Sequence, residues 1–138
     1  MASLAETAAA FVDSCDLGKG WEQCSAYCHD DATFSCQAEA LAGIATVEAY
    51  TGWAKDLLTP VPDGNYELKA LATDAQRSIV IAACVFTGTQ TGPGPVDPPT
   101  GNSVSSNYVY ALEFDGDQIR HMTKVWNDGE ALGQLGWA

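Results

Sequence analysis

Four side chains near the end of the chain could do chemistry together if the backbone there is extended: Tyr108, Tyr110, His121 and Thr123. An imidazole titrates near neutrality and can serve as a general base. A tyrosine hydroxyl beside it can donate a hydrogen bond to an oxygen that gains negative charge. Asp115-Gly116 lies between two alternating runs, residues 103–114 and 118–127, a strong local hairpin signal. With those two residues as the turn, Phe114 pairs with Asp117, Tyr110 with His121, and Tyr108 with Thr123. Alternation then gathers Leu112, Tyr110, Tyr108, Ile119, His121, Thr123 and Val125 on one face. That face is apolar with polar tips, and is expected to look inward onto a pocket. Buried hydroxyls and imidazoles left without partners cost ~1–3 kcal/mol each, so these four must satisfy one another or a ligand. The opposite face holds Val109, Met122 and Trp126 among charges, and is the expected homodimer surface.

The elements that must position this hairpin are legible from periodicity. Ser3 or Thr7 can open a helix carrying Leu4, Ala8, Phe11, Val12 and Cys15 at three- and four-residue spacing. Gly18 and Gly20 interrupt it, and Trp21, Cys24, Tyr27 and Cys28 begin a second short amphipathic segment. A brief strand over residues 32–36 follows. Gly43 and Thr46 introduce a third helix with Val47, Tyr50, Trp53, Ala54, Leu57 and Leu58, which Pro60 and Pro62 stop. From Asn65 the period changes to two, and residues 78–89 are apolar on both faces, as a covered central strand requires. Residues 91–101 are too rich in Pro and Gly for a regular element. Helices first and an antiparallel sheet afterwards predict one α+β domain over residues 1–138. Leu132, Leu135 and Trp137 of the tail are expected to pack over its open end.

Composition bounds the chemistry. The 138 residues carry 18 acidic and 6 basic side chains, a formal net charge of −12, which argues against a nucleic-acid partner and an anionic membrane surface. Hydrophobic residues make up 46% and charged residues 17%, a balance suited to a packed core. No run approaches the ~20 apolar residues of a membrane helix. An odd set of five cysteines and an N-terminus without a basic, apolar leader predict reduced thiols in a cytoplasmic protein. Cys24, Cys28 and His29 invite a metal reading, but no second ligand pair stands at zinc-site spacing, and no metal is expected. No Gly-rich phosphate loop lies between a strand and a helix, and no cofactor is expected.

Several segments carry a family likeness: AYCHDDATF (26–34), GIATVEAYTGW (43–53), FTGTQTG with PPTGNSV (86–104), and EFDGDQIRHMTKVWNDGEALGQLGW (113–137). In this order the chain resembles the nuclear transport factor 2-like superfamily, and within it the SnoaL-like polyketide cyclases. The resemblance implies a cystatin-like cone in which about three N-terminal helices pack on a curved, mainly antiparallel sheet. It also implies an acid/base carboxylate on the last strand and a histidine on the strand before. Here the last strand offers His121 instead, with Tyr108, Tyr110 or Asn107 before it. The aspartate base of the related ketosteroid isomerases would fall near Cys36, and the Arg–Asp–Asp set of the related epoxide hydrolases has no counterpart.

The expected function is therefore a small-molecule pocket, and a cofactor-independent cyclase, isomerase or lyase working on a hydrophobic carbonyl compound. His121 would be its base, Tyr108 or Tyr110 its oxyanion donor, and Phe11, Tyr27, Phe34, Cys36, Tyr50, Trp53, Phe86 and Thr123 its walls. The alternatives are a binding module for an apolar ligand and a dimerisation domain.

Overall fold

A computed structural model describes residues 2–138. The first helix, α1 (Leu4–Asp16), starts where Ser3 caps it: the Ser3 hydroxyl accepts from the Glu6 amide while the Glu6 carboxylate accepts from the Ser3 amide. Its stripe of Ala8, Phe11, Val12 and Cys15 is buried, and Asp16 at its last position is buried with them. Helix α2 is a single turn (Trp21–Cys24). Helix α3 (Val47–Leu57) opens on Thr46, whose hydroxyl accepts from the Ala49 amide, and buries Val47, Tyr50, Thr51 and Ala54.

One strand precedes α3 and four follow the pattern switch from 3.6 to two: β1 (Cys28–Cys36), β2 (Asn65–Asp74), β3 (Ile79–Thr89), β4 (Ser103–Asp115) and β5 (Gln118–Trp126). They form one sheet in the order β1-β5-β4-β3-β2, antiparallel except where β1 runs parallel to β5. The α+β class, the helices-first order and the mainly antiparallel curved sheet agree with the expectation. Strand β1 is longer than the 32–36 segment, because the second helical segment ends in a 3₁₀ turn at Tyr27 and the chain is extended from Cys28. The main core joins α1 and α3 to the inner face of the sheet through Phe11, Val12, Phe34, Leu112, Ile119 and Met122.

The tail forms a fourth helix, α4 (Asp128–Leu135), which buries Ala131 and Leu135 against Val61 and Val104. Its position is fixed from the Pro/Gly-rich loop. The buried Gln90 side chain donates to the Gly92 carbonyl at 2.8 Å and accepts from the Thr100 amide at 2.6 Å. Thr100 Oγ1 in turn donates to the Leu135 carbonyl at 2.7 Å, tying the end of α4 down.

The hairpin differs from the sequence expectation in two ways. Its two central residues are Gly116 and Asp117, with Asp115 paired to Gln118, and Gly116 has a φ of +66°. A glycine with positive φ at the first central position is one of the turn forms that match strand twist. Beyond it, Phe114 faces Ile119 but Glu113 faces His121, so Arg120 is an extra, bulged residue. A bulge shifts the alternation of everything downstream by one. Uninterrupted alternation would bury Ile119, His121, Thr123 and Val125; the bulge buries Ile119 and then Met122 and Lys124. It exchanges His121, Thr123 and Val125 for Met122 and Lys124 on the inner face.

The register gives a direct test. Met122→Ala should cost about 2–5 kcal/mol in chemical denaturation, as for a large core side chain. Val125→Ala, at a position 64% exposed, should stay within about 0.5 kcal/mol. The reverse ranking would restore the unbulged hairpin.

Candidate active site

Between the helices and the inner sheet face lies a small recess of about 70 Å³. Its walls are Tyr50, Trp53 and Leu57 from α3, Tyr108 and Tyr110 from β4, and Phe86 from β3. Lys124 and Trp126 of β5 close another side, and Leu132, Leu135 and Trp137 cover an end. Asp16 reaches it from the tip of α1. Phe34, buried below, stacks on Tyr50 with ring centroids 4.6 Å apart and fixes the orientation of that ring.

The polar groups form one directed chain. Tyr108 donates to Asp16 Oδ2 at 2.5 Å and Tyr110 donates to Asp16 Oδ1 at 2.7 Å. The hydroxyls of Tyr50 and Tyr110 are 2.6 Å apart, and since Tyr110 spends its proton on Asp16, Tyr50 is the donor there. Lys124 Nζ donates to the Tyr50 hydroxyl at 2.9 Å. Among the described residues, no carboxylate comes within ion-pair distance of Lys124. The lysine and the aspartate are thus joined only through two phenols.

Aromatic rings surround the amine. Lys124 Nζ lies 4.2 Å from the centroid of Trp126, 5.0 Å from those of Tyr50 and Trp53, and 5.1 Å from that of Tyr108. Such rings attract a cation through their negative faces. Burial nevertheless dominates: it lowers the Lys124 pKa to about 8, against the raising pull of Asp16. Burial also raises Asp16 above the ordinary carboxylate range, opposed by the hydrogen bonds from Tyr108 and Tyr110 and by the charge of Lys124. The negative end of α1 beside it disfavours an anion further. The hydroxyls of Tyr50, Tyr108 and Tyr110 are pushed upward, first by burial, and stay protonated as donors.

One residue lining this space carries a donor with no partner. Trp137 Nε1 is buried with no hydrogen-bond partner. An unmet buried donor costs about 1–3 kcal/mol, and an acceptor oxygen on a ligand would relieve it.

Of the residues expected from sequence, Tyr50, Trp53, Phe86, Tyr108 and Tyr110 meet in this recess. His121 does not. The Arg120 bulge puts it on the outer sheet face, where Thr33 Oγ1 lies 2.7 Å from Nδ1 and Ser35 Oγ 3.1 Å from Nε2. Thr123 is on the same outer face, 3.2 Å from the Ser35 hydroxyl, and with Cys36 borders a separate hollow between β1 and β5. Phe11 is fully buried core, Phe34 supports Tyr50 from beneath, and Tyr27 packs partly buried against the core. The expected dimer surface is corrected by the same bulge: Met122 is fully buried, Trp126 lines the recess, and only Val109 stays outside.

Asp16 and Lys124 were absent from the sequence expectation. Their signals were present: Asp16 continues the four-residue spacing of Ala8 and Val12, and Lys124 shares parity with Met122 and Trp126. A charged residue on an apolar stripe is costly unless it has a partner or a task.

Protonation should register in stability. The folded-state pKa of Lys124, about 8, lies below its ordinary value of 10.5, so the folded protein binds fewer protons than the unfolded chain between them. The cost of burying the ammonium is therefore present in full below pH 8 and relieved as pH rises. From pH 8 to pH 10 the wild type should gain on the order of 2 kcal/mol relative to Lys124→Met in urea denaturation. Parallel pH profiles for the two proteins would place the amine in solvent.

The geometry can be set beside known proteins. A search of curated protein sequences finds no match. Solved structures match the fold closely despite low identity. IdmH of Streptomyces antibioticus, proposed to be a polyketide cyclase, superimposes with a TM-score of 0.79 at 18% identity, covering 98% of this chain and 99% of its own. AclR of Streptomyces galilaeus, proposed to be a hydroxylase, gives 0.76 at 20% identity over 99% and 84%. A protein of ketosteroid isomerase-like fold from Catenulispora acidiphila, solved with trimethylamine, gives 0.73 at 14% identity over 96% and 94%. The family model for SnoaL-like polyketide cyclases matches residues 3–135, nearly the whole sequence. The chain belongs to the SnoaL-like polyketide cyclase family.

Proposed function

We propose that this protein is a cofactor-independent enzyme that moves protons on an apolar carbonyl compound held in the aromatic recess. The observation that carries this reading is the buried Lys124–Tyr50–Tyr110–Asp16 chain opening onto an otherwise apolar wall. A general base works best with a pKa near the operating pH, and an amine at about 8 meets that condition. Lys124 takes the proton from the carbon next to the substrate carbonyl. The new ammonium is balanced by Asp16 through the two phenols, so charge moves along an existing path rather than appearing alone in a dry pocket. The developing enolate oxygen takes a hydrogen bond from Trp137 Nε1, the donor without a partner. Tyr108 and Tyr110 hold Asp16 in place instead of touching the oxyanion directly.

An aromatic box could equally suit a small organic cation, and the trimethylamine-bound relative has a similar fold. In this chain the box is already filled by its own Lys124 side chain. That favours a neutral, apolar guest and proton transfer over cation binding. The five free thiols support a reducing, cytoplasmic setting. The outer sheet face, with Val109 and the exposed Ile81 and Val125, supports a contact with a second copy, which light scattering at micromolar concentration would reveal.

Deuterium uptake tests the chemistry without the natural substrate. β-Tetralone in deuterium oxide should exchange its α-protons faster with the protein than in buffer, followed by NMR. Asp16→Asn and Lys124→Met should each lower the rate by about 10²-fold or more. Saturable quenching of Trp53 and Trp126 fluorescence without exchange would instead mark a binding module.

A further inference from the structure

A buried lysine is ordinarily kept charged by a carboxylate in contact with it. Lys124 is not: its residue is 5% exposed, its amine's one hydrogen-bond partner among the described residues is the Tyr50 hydroxyl at 2.9 Å, and Asp16 is held two phenols away. The remaining N–H positions and the nitrogen lone pair have only rings and the recess before them. An amine so placed is a nucleophile as well as a base. Resting on the function proposed above, we propose that Lys124 captures the carbonyl carbon of an apolar aldehyde or ketone in the recess and holds it as a protonated imine.

The site supplies each requirement of that step. Lys124 gives its ammonium proton to the Tyr50–Tyr110–Asp16 chain; the freed nitrogen lone pair bonds to the carbonyl carbon, and the C=O π pair moves to oxygen, which takes that proton back from the chain. The nitrogen loses a proton to the Tyr50–Tyr110–Asp16 chain. The nitrogen lone pair then expels the hydroxyl, which leaves as water after taking a proton back from the same chain. The balance is one amine, one carbonyl and one proton giving one iminium and one water, with no oxidant or reductant. The iminium is cationic like the ammonium it replaces, so the Trp126, Trp53 and Tyr50 rings stabilise it in the same way. Their apolar surfaces also keep bulk water from reversing the step. An iminium acidifies the neighbouring C–H more strongly than the parent carbonyl does, so capture deepens the proton-transfer reading.

Reductive trapping tests the proposal. The protein is incubated near neutral pH with naphthaldehyde and sodium cyanoborohydride, and adducts are located by intact mass and peptide mapping. The sequence has three other lysines, Lys19, Lys55 and Lys69, all exposed. A lysine at about 8 carries on the order of a hundredfold more free amine at neutral pH than one near 10.4, so Lys124 should be labelled preferentially by about that factor. Lys124→Arg, which keeps the charge, and Lys124→Met, which keeps the bulk, should both lose that adduct. Labelling confined to the exposed lysines or a terminal amine overturns the imine. If β-tetralone exchange persists in that case, proton transfer stands and only covalent capture fails. Loss of both, with no quenching of tryptophan fluorescence by naphthaldehyde, overturns the pocket and the proposal together.

Discussion

Two opposite charges are buried on different walls of one recess and are kept from touching by two tyrosines. Lys124 and Asp16 each cost free energy to bury, since the charged form of either is disfavoured away from water. A direct ion pair would satisfy both and leave neither free for a guest. The relay through Tyr50 and Tyr110 balances the charges while leaving the amine without a carboxylate in contact. Much of the architecture follows from that constraint. Helix α1 ends at Asp16, α3 supplies Tyr50 over the stacked Phe34 ring, and β4 supplies two tyrosines two residues apart. The bulge at Arg120 turns Lys124 inward.

The proposed chemistry follows from the same constraint. Moving a proton to or from a buried group is expensive when it creates an isolated charge. Here the site contains one potential cation and one potential anion joined by polarised hydrogen bonds, so proton movement changes where the charge sits more than whether it exists. The apolar walls strengthen every one of these interactions by keeping water out. Helix α4, pinned through Thr100 and Gln90, contributes Leu132, Leu135 and Trp137 to that exclusion.

Much of the fold was legible in the sequence because it rests on periodicity and caps. The buried stripe of α1, the Thr46 cap of α3, the apolar run of β3 and the paired strands at the end all lie where their patterns predict. Tyr50, Trp53, Phe86, Tyr108 and Tyr110 line one recess, with the tail residues over its end. The largest failure came from one backbone irregularity. A bulge leaves no reliable mark in one sequence, and alternation carried past Arg120 without it assigns every later β5 residue to the wrong face. That one error moved His121 and Thr123 inward, sent Lys124 and Trp126 outward, and produced a dimer surface from core residues. Asp16 escaped for another reason: an acid at the end of a helix is usually solvated, and only the tertiary approach of Tyr108 and Tyr110 makes it a site.

The central claim is that Lys124 titrates inside the recess, coupled to Asp16. Lysine side chains labelled by reductive methylation with ¹³C-formaldehyde give one NMR signal per residue, so a pH titration reads all of the lysines at once. The account predicts one signal with an apparent pKa of about 8, missing in Lys124→Met and lower still in Asp16→Asn, where the carboxylate that raises it is gone. Four signals all titrating near the ordinary lysine value of about 10.4 would contradict it.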